Sequence, residues 1–246
     1  MRKLFILKFF FFICLSYLNA QDTLSGNYQN LTISKGKHII NSMVIVSNSL
    51  KVDSGAKVEF IDNGTLVCGG LVEMFGNKYD IEFYGKKNTE GVGLIINNNN
   101  EKSVIINNVI FRNLQMPLYF DFGWKRNLVS ITDNKFDKNI GKVSLIQVLN
   151  TPFGSNDSAY VQFDLSDNTF SNNNSSLYFE DLKNDQIHFN ITQNVFVNNF
   201  IYGSKTYNIA NNIIYGRIDQ IYKKFLPTIE RNSFVNNNLV DILTDT

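Results

Sequence analysis

The sequence predicts an all-β fold in which short parallel strands stack into a solenoid. Three observations lead to this fold class. Asparagine accounts for 36 of the 246 residues, far above ordinary usage. One short segment recurs six times with constant internal spacing, and its copies alternate apolar and polar residues as strands do. Because 43 % of the residues are hydrophobic and 18 % are charged, the chain can build a core and is not disordered.

The first 20 residues read as a secretory signal peptide. Three basic residues lie within the first eight, an apolar run covers residues 9–15, and Ala20 is small enough to precede a cleavage site. The apolar run is too short for a membrane span. Residues 21–246 carry 20 Lys and Arg against 22 Asp and Glu, which leaves no basic field for nucleic acid. We therefore expect a secreted or cell-surface protein with no membrane span after cleavage and no nucleic-acid partner.

The part of the chain before the repeats predicts a lead-in and the first strands. Residues 21–39 are expected to cap the top of the solenoid, which then runs over residues 40–246. The stretch 50–60 alternates apolar and polar residues around Gly55, and further glycines separate later short strands. Cys68 is the only cysteine after cleavage, so no intrachain disulfide can form, and we expect a small buried side chain.

The repeat reads apolar, two variable residues, Asn, one variable residue, apolar, two variable residues and usually a second Asn. The first Asn positions are 26, 34, 26, 18 and 20 residues apart, so the insertions must lie in loops between strands. Asn amides at equivalent positions in adjacent coils can hydrogen bond along the stack. The second apolar position is expected to fill the interior, in a column formed by Ile110, Phe136, Phe170, Phe196, Ile214 and Phe234.

This pattern resembles the right-handed parallel β-helix repeat family, the pectate-lyase-like solenoids, over about residues 40–243. The resemblance implies a right-handed parallel β-helix of about nine coils with Asn ladders and an apolar, Phe-stacked interior. Left-handed β-helices use a strict hexapeptide that is missing here. Enzymes of the family carry signature motifs such as an Asp-His dipeptide, and none of these motifs occurs in this chain.

Two acidic residues are the candidates for catalysis. Asp133 and Asp167 directly precede the first Asn in adjacent coils. Two carboxylates that lie close together can share a proton, which suits acid–base chemistry on a glycosidic bond. The same pair could bind Ca²⁺, although nothing else in the sequence supports a cofactor or a metal site. The alternative is a pair of solvated corner residues, because Asp is common in turns.

A second set of residues is predicted to bind an acidic sugar. Arg112 and Lys138 occupy one column of the repeat, and a turn between those coils adds an aromatic ring and further charges. A stacking ring beside cations suits a uronate, whereas the alternative is a Trp that packs on the flank of the solenoid. The turn residues are Asp121, Trp124, Lys125 and Arg126.

Two functions remain open after these observations. The first is a non-catalytic, adhesin-like or glycan-binding and structural module, favoured by the missing signature motifs and the short chain. The second is an extracellular polysaccharide lyase or glycosidase that acts on an acidic polysaccharide. The expected partner is an extracellular polysaccharide or surface glycan. No polar capping segment follows residues 239–243, so we also expect another chain to cover the open C-terminal coil, or the sequence to be part of a longer one.

Overall fold

The computed structural model of the chain describes residues 21–78, 80–86, 91–97, 102–122, 127–140, 145–150, 161–174, 177–179, 187–199, 213–215, 228–235 and 242–244. These residues form 22 β-strands and no helix, which confirms the all-β prediction. The strands are β1 Asp22–Ile33, β2 Gly36–Val52, β3 Ala56–Phe60, β4 Thr65–Cys68, β5 Leu71–Phe75, β6 Ile81–Gly85, β7 Gly93–Asn97, β8 Val104–Asn107, β9 Val109–Arg112, β10 Leu118–Phe122, β11 Asn127–Thr132, β12 Lys135–Asp137, β13 Ile146–Asn150, β14 Val161–Ser166, β15 Thr169–Ser171, β16 Leu177–Phe179, β17 Ile187–Thr192, β18 Val195–Val197, β19 Ile213–Tyr215, β20 Thr228–Glu230, β21 Ser233–Val235 and β22 Ile242–Thr244.

The strands pair in parallel, and each strand from β3 to β19 pairs with the strand three further along the chain. Three columns result. The first column runs β3, β6, β9, β12, β15, β18, β21; the second runs β4, β7, β10, β13, β16, β19, β22; and the third runs β5, β8, β11, β14, β17, β20. The long strand β2 pairs with the first strand of all three columns, and β1 pairs with β2. This arrangement is consistent with a parallel β-helix solenoid.

The segment 21–39, which the sequence suggested as a lead-in, contributes β1 and the beginning of β2 to this sheet. Within the described residues, no helix is both long enough and apolar enough to cross a membrane.

The core lies between the three columns because alternate residues of each strand point inward. In β3, Ala56, Val58 and Phe60 are fully buried, whereas Lys57 between them is exposed. The same alternation holds in β6 and β9, whose buried residues include Phe83 and Phe111. Period-two patterning in the sequence therefore sets which face of each strand meets the core.

Phenylalanine rings stack through the interior of the first column. The Phe136 and Phe170 ring centroids are 4.7 Å apart with nearly parallel planes, and Phe170 stacks on Phe196 at the same distance. These contacts confirm the predicted interior positions of the three rings. Phe111 stacks on Phe136 at 5.0 Å, whereas Phe83 meets Phe111 edge to face at 5.6 Å.

The first repeat copy is displaced by one residue from its predicted alignment. Ile110 was expected in the Phe column, but it pairs with Lys135 and is half-buried, while Phe111 pairs with Phe136. The cause is Asn108, which adopts the left-handed corner conformation with a φ of 57°. Asn108 therefore occupies the corner position of Asp133, and the apolar Val109 takes the ladder position that we expected Asn108 to occupy.

The copy that begins at Ile209 was also aligned incorrectly. Ile214 was expected in the Phe column, but its strand β19 belongs to the second column, where Ile214 pairs with Tyr178 and Leu243. The strand β17 pairs directly with β20, and Asn194 hydrogen bonds to Asn232. Spacing alone could not separate this copy from the true repeats, because Asn and apolar residues are frequent throughout the chain.

Two ladders of buried asparagines hold the corners on either side of the first column. The Asn168 Oδ1 accepts from the Asn134 backbone N–H at 2.9 Å and from its Nδ2 at 3.1 Å. The Asn168 Nδ2 donates to the Ile131 carbonyl at 2.8 Å and to Asn194 Oδ1 at 3.0 Å. We call three consecutive strands, one from each column, a row. Each amide thus forms hydrogen bonds with backbone groups of the neighbouring row, as burial requires. One ladder contains Asn134, Asn168, Asn194 and Asn232, and the other contains Asn139, Asn173 and Asn199.

We expect Asn168→Ala to lower the free energy of unfolding by about 2 to 6 kcal/mol, because two buried backbone groups lose their partners at roughly 1 to 3 kcal/mol each. Urea unfolding measures this loss. The matched control is Asn190→Ala on the outer side of β17, which should change stability by less than about 1 kcal/mol. Equal effects of the two substitutions would contradict a structural role for the ladder.

Glycine occupies corners where adjacent rows approach too closely for a side chain. A Cβ at Gly70 would overlap the backbone carbonyl of Asn48, and a Cβ at Gly64 would overlap the carbonyl of Ile40. At Gly69 the nearest atom would be 3.5 Å away, which is an ordinary contact. The close approach of the backbone therefore requires glycine at position 70 but not at position 69.

We expect Gly70→Ala to destabilise the protein by about 1 to 3 kcal/mol, because the Asn48 backbone must move to accept the methyl group. Gly69→Ala is the control and should change stability by no more than about 0.5 kcal/mol. Thermal unfolding of the two variants measures the difference. A Gly70→Ala variant as stable as Gly69→Ala would show that the rows are less tightly stacked than described.

Candidate functional site

The two predicted catalytic acids lie at a corner between the third and first columns. Asp133 and Asp167 are exposed and adopt left-handed backbone conformations, with φ of 57° and 59°. Asp and Asn tolerate this region better than most residues do. The backbone N–H of Asp133 donates to the Ser166 carbonyl at 3.3 Å, and that of Asp167 donates to the Thr192 carbonyl at 3.2 Å. The left-handed conformation of the corner is therefore enough to explain why Asp occupies both positions.

Asp133 and Asp167 lie in adjacent rows. They directly follow Thr132 and Ser166, which pair with each other across β11 and β14. The Asp133 Oδ2 accepts a hydrogen bond from Asn107 Nδ2 at 3.3 Å. The described contacts include no hydrogen bond between the two carboxylates. Their catalytic role stays a prediction. No group of three or more His, Cys, Asp or Glu suited to a metal ion occurs among the described residues.

A second corner follows the first column and contains Lys138. Lys138, Asn172 and Asn198 share the left-handed conformation, with φ between 50° and 55°. We expected Arg112 to occupy the same position of the repeat as Lys138. This is wrong, because Arg112 pairs with Asp137, one residue earlier. The one-residue shift of the first copy moves Arg112 from the corner onto the outer face of β9.

An open groove of about 330 Å³ runs along this second corner. The groove is lined by buried ladder amides, by the exposed Lys138 and by Ile140, whose surface is 48 % exposed. Asn174 also lines it, and the buried Asn174 Oδ1 has no hydrogen-bond partner among the described residues. The described residues that line it are Lys138, Asn139, Ile140, Asn172, Asn173, Asn174 and Asn198. This corner groove combines an ammonium group, amides and one apolar side chain.

One amide on the groove is held in place by its neighbours. The Asn172 Nδ2 donates to Asp137 Oδ1 at 2.9 Å, and the Ser171 hydroxyl donates to the same oxygen at 2.8 Å. Asp137 therefore fixes the orientation of the Asn172 side chain toward the first column. A preorganised polar side chain loses little freedom when a ligand binds beside it.

The remaining predicted binding residues are not brought to this groove by the described part of the chain. Asp121 lies in β10 of the second column, opposite Asn97 and Leu149. Trp124, Lys125 and Arg126 lie outside the described residues, so their proposed role stays a prediction.

The structure assembles a charged cluster that sequence analysis did not identify. On the outer face of the first column, Lys37 Nζ lies 2.8 Å from Glu59 Oε2, and Arg112 Nε forms an ion pair with Glu82. The Arg112 guanidinium lies over the Tyr84 ring, 5.4 Å from its centroid. We call these five residues the outer-face cluster. The alternation of apolar and polar residues in β3, β6 and β9 could have shown that these side chains share the outer face. It could not be used, because Arg112 had been assigned to the wrong position of the repeat.

The local environment shifts two pKa values within the outer-face cluster. The hydrogen bond to Glu59 raises the pKa of the Lys37 ammonium above its ordinary 10.5. Burial, followed by the negative charge of Glu59, raises the pKa of the Tyr84 phenol above 10.0. Both groups therefore keep their protons at neutral pH and present hydrogen-bond donors to the outer face.

Cys68 is buried, as the sequence predicts, and its Sγ donates to the Leu71 carbonyl at 3.6 Å. Burial raises the pKa of this thiol above 9.0, because the charged thiolate would lose its hydration. The side chain fills space in the core.

We expect the Tyr84 phenol to ionise at a higher pH than a free tyrosine does. The folded state favours the neutral phenol, so its contribution to stability is present below about pH 10 and is lost as the pH rises through the raised value. Ultraviolet difference titration should show one late-ionising phenol that Tyr84→Phe removes. Glu59→Gln should lower the pKa of Tyr84, and an unchanged titration in both variants would contradict this electrostatic description.

Comparison of the chain with protein-family models, with curated proteins and with solved structures gives no match. What this protein binds is therefore inferred from its own residues.

Proposed function

We propose that this protein is a secreted or cell-surface, non-catalytic module that binds glycans through the corner groove. The proposal includes a right-handed parallel β-helix of about nine coils, similar to the pectate-lyase-like solenoids. The three columns and the pairing of each strand with the third one after it support this architecture. The signal-peptide pattern of residues 1–20 supports secretion.

The observation that carries the binding proposal is the corner groove beside Lys138. Lys138, Asn172 and Asn198 repeat a polar side chain once per row, and rows of a sheet are spaced by about 4.8 Å. A polysaccharide presents acceptors at regular intervals and can meet several rows at once. The Lys138 ammonium favours a sugar with an anionic substituent, and the exposed Asn172 amide can bond to a sugar hydroxyl.

The alternative function is a lyase or glycosidase that uses Asp133 and Asp167. Their placement in adjacent rows of one corner favours this alternative. A catalytic pair would have to release new reducing ends or unsaturated sugars from a polymer. An experiment that measures both binding and product release can therefore separate the two functions.

We expect protein purified from cells that express the full chain to be retarded in affinity gels that contain polygalacturonate or another acidic polysaccharide, without releasing product. Lys138→Asn should weaken this retention about tenfold, because one charge-assisted hydrogen bond is lost. Asn suits the left-handed corner, as its neighbours in the column show, so the backbone is not strained.

The control is the double variant Asp133→Asn and Asp167→Asn, which should bind acidic polymers at least as well as the unmodified protein. Retention that Lys138→Asn leaves unchanged would overturn the assignment of the groove. Product that disappears in the double aspartate variant would show the alternative function to be correct.

A further inference from the structure

We propose that the outer-face cluster, formed by Lys37, Glu59, Glu82, Tyr84 and Arg112, is a second carbohydrate site that binds an uncharged glycan. The site lies on the outer face of the first column, apart from the residues that line the corner groove. It does not depend on the function proposed for that groove.

The sheet sets the spacing of these groups. Glu59, Tyr84 and Arg112 are successive partners on β3, β6 and β9, so about 4.8 Å separates each from the next. Glu82 lies two residues before Tyr84 on the same outer face, at roughly 6.6 Å along the strand. The cluster is therefore a small grid of polar groups on a rigid backbone.

Ion pairs fix the side chains within this grid. The Glu59 and Glu82 side chains are each only 13 % exposed, while their partners Lys37 and Arg112 are each 44 % exposed. The Arg112 guanidinium is also held against the Tyr84 ring. Because these side chains are ordered before binding, a ligand loses little affinity to their immobilisation.

The balance of charge selects the class of ligand. Within the cluster two cations are matched by two carboxylates, and the residues that flank it on the same face are Lys57, Lys135 and Asp137. An anion would approach Glu59 and Glu82, and a cation would approach Lys37 and Arg112, so neither gains a net attraction.

Hydroxyl groups fit this alternation better than ions do. Arg112 carries five N–H donors and Lys37 carries three, and each carboxylate has two oxygens that can each accept more than one hydrogen bond. A hydroxyl both donates and accepts, so vicinal hydroxyls of a sugar can bridge a carboxylate and its neighbouring cation.

The test is affinity electrophoresis of the full protein in gels that contain soluble mixed-linkage β-glucan or galactomannan, both uncharged. We expect retardation that persists at high salt, because no net charge attracts the polymer. The double variant Glu59→Gln and Glu82→Gln should lose about tenfold or more in affinity, since both charge-assisted acceptors are removed. Glu73→Gln on β5 of the third column is the matched control and should bind like the unmodified protein.

Two further variants test whether the outer-face cluster itself binds the polymer. Lys138→Asn must leave retention by the neutral polymers unchanged, which separates this site from the corner groove. If thermal unfolding shows that the double glutamate variant is not folded, Arg112→Lys keeps the charge but loses the flat guanidinium over Tyr84, and it must weaken binding. Failure of the unmodified protein to bind either neutral polymer, or equal binding by the double variant or by Arg112→Lys, would overturn the proposal.

Discussion

The rest of the structure depends on the buried amide ladders. A buried amide is costly unless its donors and acceptors are all bonded, and each ladder Asn meets that demand only when it faces an Asn of the next row. Asn168, for example, bonds to backbone and side-chain groups of the rows on both sides. A slip of one residue would leave these groups unpaired in the core. The ladders therefore fix the register of every strand they flank.

The register set by the ladders also organises the aromatic interior. Where both neighbouring rows carry ladder asparagines, the rings of Phe136, Phe170 and Phe196 stack face to face at 4.7 Å. Before the ladders begin, Phe83 and Phe111 pack edge to face at 5.6 Å. Regular corners hold successive rows in the same orientation, so that equivalent rings overlie one another. Phe111, whose corners hold Val109 and Leu114, still stacks on Phe136 at 5.0 Å, because Asn134 and Asn139 of the next row bond to the backbone of those two residues.

Both proposed binding sites use side chains that this framework holds at fixed intervals. In the corner groove, the left-handed positions of Lys138, Asn172 and Asn198 result directly from the turn that precedes each ladder Asn. In the outer-face cluster, strand pairing sets Glu59, Tyr84 and Arg112 side by side. Among the described residues, the groove has one ammonium group, whereas the five residues of the cluster balance their charges, so the two surfaces differ in the ligand that they favour.

The amino-acid sequence predicted the strand-rich fold, the ladder asparagines between residues 134 and 199 together with Asn232, and the stacked Phe136, Phe170 and Phe196. These features follow from local period-two alternation and from the spacing of Asn, both of which can be read within a few residues. The register of the first copy, the column of Ile214 and the ion pair of Glu82 with Arg112 came from the folded structure alone. The reason is that a strand can shift by one residue without changing its local pattern. Such a shift moves every side chain to the opposite face, and only pairing with distant strands selects between the two.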